Sequence, residues 1–198
     1  MKYCCECGHV LVRRWITSEQ RERSVCESCG ITHYENPKVI VCGIVCWRDK
    51  LLLCRRANEP GRNKWMVPGG FLECGETLEG GAARETREET GVIIDPNDLA
   101  LYSVVNMTGI KQILISFRVQ LTSQPVLSPG PECLEAAFLS EDEIHRVDFA
   151  WRISMGDGLA RFFKELRSGS FSIQLITLAS DQGAKFRWRE YQIQRSRC

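Results

Sequence analysis

Three glutamates lie close together near the end of the stretch GGFLECGETLEGGAARETREETGV, which spans residues 69–92. In a helix, Glu85, Glu88 and Glu89 fall within an arc of roughly 100° on one face. Carboxylates at this spacing repel one another unless a cation lies among them. Because hard divalent cations such as Mg²⁺ prefer carboxylate oxygens, the spacing predicts a divalent-metal site. The alternative without chemistry is a solvated acidic helix face.

The same stretch contains signals for the elements that would position these glutamates. Thr77 can cap the start of the helix with its side-chain oxygen, and Gly91 can adopt the left-handed conformation that ends it. Gly80 and Gly81 each cost a helix about 1 kcal/mol relative to alanine, so helix propensity does not explain them. Together with the glycine pair at 69–70, they indicate backbone brought close to a ligand or to the helix.

The full pattern, G-x5-E-x7-R-E-x-x-E-E-x-G, resembles the Nudix box of the Nudix hydrolase superfamily and spans residues 70–91. Every charged and glycine position of that box is present. One departure is Thr86, where the family usually has an aliphatic residue, and it affects helix packing rather than metal binding. The resemblance implies a Nudix α/β/α sandwich with a mixed sheet. It also implies an enzyme that cleaves a nucleoside diphosphate linked to another moiety.

The resemblance further implies a catalytic and metal-binding set of residues. Glu85 and Glu89 would bind the catalytic metal directly, and Glu88 would complete or bridge their ligand set. The backbone carbonyl of Gly69 would add an oxygen, and Glu135 would supply a carboxylate from outside the box. Sequence does not choose between Mg²⁺ and Mn²⁺, because both suit a site made of oxygen donors.

Two other charged residues of the box, Glu76 and Arg84, are predicted to pair and so to orient the helix that carries the ligands. The general base is left open, because Nudix enzymes draw it from different places. Glu88, Glu132 and Glu135 are all candidates for this role.

The residues before the box include candidates for substrate binding. Arg55 and Arg56 end the predicted strand LLLCRR, and a guanidinium fork matches phosphate oxygens, although a surface ion pair explains either arginine equally well. Trp65 could stack on a base, but packing beneath the loop is the safer interpretation. The cysteines of the neighbouring strands are predicted to be small buried hydrophobic residues: Cys42, Cys46 and Cys54.

The N-terminal region contains two CxxC pairs separated by eighteen residues. Its four cysteines are Cys4, Cys7, Cys26 and Cys29. Each pair can supply two thiolates from one tight turn, so this spacing is a strong signal for a tetrahedral zinc site. The sequences LVRRWI and RERSV read as short strands between the pairs, which predicts a zinc ribbon. Cys5 and His9 are alternative ligands, but a spare thiol and a surface histidine fit better.

The chain is predicted to have three segments: a zinc ribbon at residues 1–34, a Nudix domain at 35–167 and a C-terminal extension at 168–198. In the extension, FSIQLITLAS can form a strand. The following KFRWREYQIQRSRC alternates basic and aromatic residues, which could bind RNA by charge and stacking. A solvated tail or an added edge strand is the more common explanation, so a nucleic-acid partner is not expected.

Composition sets broader limits. The 198 residues carry a net charge of +1, which gives no global attraction to nucleic acid or to an acidic membrane. The N-terminus lacks the apolar region of a signal peptide, and no apolar run is long enough to cross a bilayer. Eleven cysteines, four of them in metal-type spacing, argue against a secreted disulfide framework. We therefore expect a cytoplasmic protein without a membrane partner, and a homodimer is a reasonable expectation because many Nudix enzymes dimerise.

The flanks of the box resemble zinc-ribbon Nudix proteins described as ADP-ribose or FAD pyrophosphatases, which implies release of AMP plus a phosphorylated product. NADH pyrophosphatases, including enzymes that act on NAD-capped RNA, are the alternative. They carry an SQPWPFPxS-like signature, whereas this chain has SQP followed by VLS at residues 123–128. A nucleotide sensor that no longer cuts its ligand usually loses box glutamates, and all of them are present here. A zinc-ribbon nucleic-acid adaptor is a further, less favoured reading.

Overall fold

The computed structural model describes residues 1–150, 152–179 and 185–191, with backbone alone at 152–157, 179 and 185–191. The chain divides into two compact units, Met1–Pro37 and Lys38–Cys198.

The first unit is a small antiparallel sheet of three strands. These are β1 (Val12–Ile16), β2 (Arg21–Val25) and β3 (Thr32–His33), with β2 in the middle. The two predicted ribbon strands are confirmed, and a third follows the second cysteine pair. The buried residues of this unit include Val25, Cys4 and Cys26. So small an apolar core gives little stability by itself, which is why such modules usually depend on a metal.

The second unit is organised around a mixed sheet of nine strands in the described part of the chain. The strands are β4 (Lys38–Trp47), β5 (Lys50–Arg56), β6 (Trp65–Met66), β7 (Gly69–Phe71), β8 (Ala100–Met107), β9 (Gln112–Leu121), β10 (Cys133–Leu139), β11 (Ile173–Ala179) and β12 (Lys185–Tyr191). Their order is β10-β5-β4-β9-β8-β11-β12, with β6 paired to β5 and β7 paired to β4. The pairs β4 with β9 and β8 with β11 are parallel, and the others are antiparallel.

Helices cover both faces of this sheet. They are α1 (Leu78–Thr90), α2 (Glu141–Ile144) and α3 (Arg152–Ser168). On one face, Ala82 of α1 lies in a core cluster with Leu52. On the other face, Phe162 of α3 packs in a cluster with Leu51 and Leu53. Successive side chains of a strand point to opposite faces of the sheet. In β5, Leu52 therefore faces α1, whereas Leu51 and Leu53 face α3. The predicted α/β/α sandwich with a mixed sheet is confirmed.

The apolar run in β4 and β5 lies inside the sheet, between β10 and β9. Its three cysteines are 7%, 1% and 0% exposed, as expected for small hydrophobic residues: Cys42, Cys46 and Cys54. The close contact between β4 and α1 occurs at Gly43. A Cβ atom there would lie 2.5 Å from Oγ1 of Thr86, so the helix can approach the strand this closely only over a glycine.

The C-terminal region adds two strands to the sheet. The predicted strand FSIQLITLAS corresponds to β11, which pairs in parallel with β8. The basic and aromatic segment that follows contributes β12, which pairs with β11 and lies at the end of the sheet order. The rest of the predicted basic tail, residues 192–198, lies outside the described residues.

Candidate active site

Helix α1 begins and ends at the predicted residues. Oγ1 of Thr77 accepts a hydrogen bond from the Gly80 amide at 3.0 Å, which caps the first turn. Gly91 ends the helix with a φ of 79°, and its N–H donates to the carbonyl of Arg87. Strand β7 runs so close to the helix that a Cβ atom on Gly70 would lie 2.5 Å from the Glu85 carboxylate. These contacts fix the position of the box glutamates relative to the sheet.

Arg84 is the centre of a hydrogen-bond network on the exposed side of α1. Its Nε and Nη2 donate to both carboxylate oxygens of Glu76 at 3.0 and 2.8 Å, a bidentate pair. Its Nη1 donates to Glu85 at 2.8 Å and to Glu88 at 3.1 Å, and Nη2 also reaches the carbonyl of Phe71. The hydrogen bonds from Arg84 lower the pKa of Glu76 to about 2. The guanidinium therefore ties the loop before the helix to the carboxylates on it.

Glu89 is the most buried of the three box glutamates, with 6% of its surface exposed. Its Oε2 accepts a hydrogen bond from the Gly69 amide at 2.9 Å. Burial raises the pKa of Glu89 to about 7, and the charge of Glu85 adds to this effect. Burial also raises the pKa of Glu85. Two desolvated carboxylates that oppose each other's ionisation form a site where a cation would be strongly favoured.

The donor set fits a hard divalent cation. Glu85 and Glu89 face the same region, and Glu88 extends it toward solvent with 57% of its side chain exposed. The three carboxylates offer oxygen atoms, which is the ligand type that Mg²⁺ and Mn²⁺ prefer. The amide N–H of Gly69 holds one oxygen of Glu89 in place.

The two acidic residues of the β10 region lie in different surroundings. Glu135 forms an ion pair with Arg55 on the neighbouring strand at 3.0 Å. Glu132, which precedes β10, is among the charges that raise the pKa of Glu85. A register shift between Cys133 and Glu135 sets Glu135 opposite Arg55. The carboxylate of Glu132 thus acts electrostatically on the box, whereas that of Glu135 is held by Arg55.

The predicted substrate residues also separate. Arg55 is paired with Glu135, whereas the charge of Arg56 lowers the pKa of Glu89 and so lies near the carboxylates. The guanidinium of Arg56 is held by the Pro60 carbonyl at 3.0 Å. Trp65 packs, partly buried, against the core cluster beneath α3. Its contact with a base stays a prediction.

The four N-terminal cysteines form the second candidate site. All four sulfur atoms lie within 4.8 Å of one another. Cys4 and Cys29 are 3.7 Å apart, and Cys7 and Cys26 are 3.4 Å apart. Zn–S bonds of about 2.3 Å in a tetrahedron require sulfur separations of about 3.8 Å, so the arrangement fits zinc. The Cys29 amide lowers the pKa of the Cys26 thiol to about 7, which favours the thiolate form that binds metal.

Sequence reasoning missed one residue at this site. Nε2 of His33 lies 3.2 Å from the sulfur of Cys4, and Nδ1 lies 3.8 Å from the sulfur of Cys5. His33 belongs to β3, and an imidazole N–H at this position can orient and stabilise a thiolate. The available signal was a histidine four residues after the second cysteine pair.

Comparison with known proteins identifies the family. The sequence profile of the NUDIX domain matches residues 37–162, well over half of the chain. The chain belongs to the Nudix family. A second profile, that of the Nudix N-terminal zinc ribbon, matches residues 2–35. The first range contains the box glutamates, and the second contains the four N-terminal cysteines.

Individual Nudix relatives are similar over different parts of the chain. The "ADP-ribose pyrophosphatase" of Methanocaldococcus jannaschii is 48% identical over 117 residues, which cover 59% of this chain and 69% of that protein. The "NAD-capped RNA hydrolase NudC" of Shigella flexneri is 30% identical over 146 residues, 72% of this chain, and the chain spans about half (53%) of its length. A Nudix hydrolase crystal structure from Nitrosomonas europaea has a TM-score of 0.79 at 39% identity, covering 89% of this chain and 99% of that one.

The described part of this Nudix protein contains no helix long and apolar enough to cross a membrane.

Proposed function

We propose that this protein hydrolyses the diphosphate of ADP-ribose or FAD and releases AMP plus a phosphorylated product. The observation that carries the proposal is the pair of desolvated carboxylates, buried Glu89 and half-buried Glu85, on a helix whose position is fixed by Arg84 and Gly69. Holding two neighbouring carboxylates out of water costs free energy, and a diphosphate hydrolase needs cations at this point. The similarity to a protein named ADP-ribose pyrophosphatase supports the choice of substrate.

Glu85, Glu88, Glu89 and the carbonyl of Gly69 would hold Mg²⁺ or Mn²⁺. When bound, the cation would neutralise the negative charge that builds up on the phosphoryl oxygens. Arg84 would keep the carboxylates of Glu85 and Glu88 in a fixed geometry, because one guanidinium nitrogen binds both.

The remaining steps need a proton acceptor and a phosphate ligand. Two of the three candidate bases, Glu132 and Glu135, lie outside the box. Of these two, Glu132 is the better candidate, because its charge acts on Glu85 whereas Glu135 is paired with Arg55. Glu132 or the exposed Glu88 would take the proton of the attacking water. Arg56, near Glu89, would bind a phosphate oxygen of the substrate.

The alternative substrate class is NADH, NAD⁺ or NAD-capped RNA. It is supported by the 30% identity to a NAD-capped RNA hydrolase. It is disfavoured because the residues after the SQP tripeptide at 123–125 are VLS and not the WPF of the signature. A sensor that binds a nucleotide without cutting it would not need the complete set of box glutamates.

The deciding experiment is a Mg²⁺- and Mn²⁺-dependent screen over ADP-ribose, FAD, NADH, NAD⁺, coenzyme A and nucleoside triphosphates, with products identified by mass. We expect AMP from ADP-ribose or FAD with the highest kcat/KM. A clear preference for NADH would move the protein to the alternative class. Silence on every compound, with the fold intact, would reject hydrolysis and leave a sensor or an adaptor.

Further proposals concern the whole protein. The four-cysteine site would hold a structural Zn²⁺. The described cysteines are all free thiols, which suits a reducing compartment such as the cytoplasm. Homodimer formation would be tested by light scattering of the full chain, where a monomer mass at micromolar concentration would reject it.

A further inference from the structure

Three side chains that can each bind a metal through one atom lie together behind the candidate active site. They are Cys54 of β5, Glu89 of α1 and Cys133 at the start of β10. Their ligand atoms all lie within 4.8 Å of one another, and all three residues are buried. The Cys54 thiol lies 3.6 Å from Oε2 of Glu89. Neither thiol has a role in the proposed hydrolysis.

The surroundings of the two thiols are rich in sulfur. Cys54 and Cys133 form a small buried cluster with Met66, whose carbonyl oxygen lies 3.8 Å from the Cys54 sulfur. The sulfur of Cys133 lies within 4.8 Å of the Cys54 sulfur, and both thiols are shielded from solvent. The three groups would repel one another in their anionic forms. They are stable together either when protonated or when a cation joins them.

We propose that Cys54, Cys133 and Glu89 form a second metal site that takes a thiophilic divalent cation such as Zn²⁺. Two thiolates with one carboxylate suit zinc, whereas Mg²⁺ prefers oxygen donors alone. Binding releases the thiol protons to solvent. The nearby positive charge of Arg56 opposes a cation here, but up to three negative charges from the ligands offset it.

The site has a consequence for activity, which rests on the proposed function. Glu89 belongs to both sites. When a thiophilic cation holds this carboxylate, Glu89 no longer serves the catalytic Mg²⁺ or Mn²⁺, and hydrolysis stops. Zinc beyond the amount that fills the four-cysteine site is therefore an inhibitor of this protein.

The site is tested by cobalt titration of the full-length protein after its four-cysteine site has been filled with zinc. Co²⁺ binds such ligands more weakly than Zn²⁺, so it does not displace the zinc already present. We expect one further equivalent of Co²⁺ with cobalt–thiolate charge-transfer absorption. Cys133→Ala and Cys54→Ala lose this absorption, whereas Cys46→Ala, which removes a buried thiol outside the cluster, keeps it. Circular dichroism checks that each variant is folded.

A measurement on the unaltered protein does not depend on the variants. Bound Co²⁺ protects Cys54 and Cys133 from alkylation, as read by peptide mass mapping. Absence of the extra absorption in the unaltered protein, or equal absorption after Cys133→Ala, would overturn the proposed site. So would protection of other cysteines in place of these two.

Zinc inhibition separates this inference from the proposed function. With Mg²⁺ as the activating metal, one extra equivalent of Zn²⁺ removes most of the hydrolytic rate of the unaltered protein. Cys133→Ala resists this inhibition when its rate is compared with its own zinc-free rate. Cobalt binding without zinc inhibition would support the site and would overturn Glu89 as a ligand of the catalytic metal.

Discussion

Helix periodicity puts Glu85, Glu88 and Glu89 on one face, yet burial makes them unequal. Glu89 and Glu85 are desolvated and have raised pKa values, whereas the side chain of Glu88 is 57% exposed. A cation gains most from the two desolvated carboxylates, because the effective dielectric constant around them is lower. Glu88 is better suited to a task at the edge of the site, such as accepting a proton from water.

The first prediction concerns Glu85 and Glu89. Glu85→Gln and Glu89→Gln each remove one charge from the metal ligands, and the loss of several kcal/mol of charge stabilisation lowers kcat roughly 10²–10³-fold. The measurement is steady-state hydrolysis of ADP-ribose at saturating Mg²⁺. Glu79→Gln is the matched control, because it makes the same change in the first turn of the same helix. Rates within a factor of two of the unaltered protein would reject the site.

The second prediction compares the two acidic residues of the β10 region. Glu132→Gln lowers kcat by about 10²-fold or more if this carboxylate is the general base. Glu135→Gln breaks a partly exposed ion pair with Arg55, which costs at most about 1 kcal/mol of stability and leaves the chemistry intact. The two variants are compared in kcat and in urea unfolding. A larger loss of kcat in Glu135→Gln would return the role to that residue.

The different surroundings of these two glutamates show where sequence reasoning reaches its limit. Alternation along a regular strand predicts which face each residue takes, but the register shift between Cys133 and Glu135 breaks the alternation. The local sequence contains no signal that predicts this register shift. It sets Glu135 opposite Arg55, and the cross-strand ion pair follows from that position.

At the scale of elements, helix α1 could be predicted because its signals are local. The capping oxygen of Thr77 and the left-handed Gly91 are both observed. The packing of the helix could not be predicted, because it depends on a strand more than thirty residues away. Thr86, the residue that departs from the family pattern, is fully buried over Gly43, and its hydroxyl donates to the Ala82 carbonyl at 2.7 Å.

The third prediction tests this contact between helix and strand. Gly43→Ala places a methyl group 2.5 Å from Oγ1 of Thr86, so the helix must move away from β4. We expect a loss of about 1–3 kcal/mol in the free energy of unfolding. The rate should also fall, because Glu85 and Glu89 move with the helix. Urea unfolding and kcat are the measurements.

A second substitution makes this test specific. In Gly43→Ala with Thr86→Ala, the space left by the threonine accepts the new methyl group, so the double variant is more stable than the sum of the single effects by about 0.5–3 kcal/mol. Gly158→Ala in α3 is the control, since a Cβ atom there meets no described atom within 4 Å. If the effects of the two single substitutions simply add, the contact between Gly43 and Thr86 does not determine how closely the helix packs on β4.

At the scale of the whole molecule, the chain consists of two units with different sources of stability. The second unit buries an extensive apolar core on both faces of its sheet. The first has few buried residues, and two of them, Cys4 and Cys26, are candidate metal ligands. The cysteine spacing alone was enough to predict the ribbon. The approach of His33 to Cys4 was not predictable, because it depends on the pairing of β3 with β2.

The last prediction follows from this division. Cys26→Ser removes a thiolate from the four-cysteine site, so zinc is lost and residues 1–37 exchange their amide hydrogens much faster, while the second unit keeps its protection. Hydrolysis is weakened but persists, because the carboxylates lie on α1.

Cys5→Ser is the control and retains zinc, since the Cys5 thiol is exposed and outside the four-sulfur cluster. Zinc content, hydrogen exchange by mass spectrometry and kcat are measured together. Complete loss of hydrolysis with the second unit still protected would mean that the ribbon takes part in the chemistry, and the activity could then no longer be assigned to the Nudix unit alone.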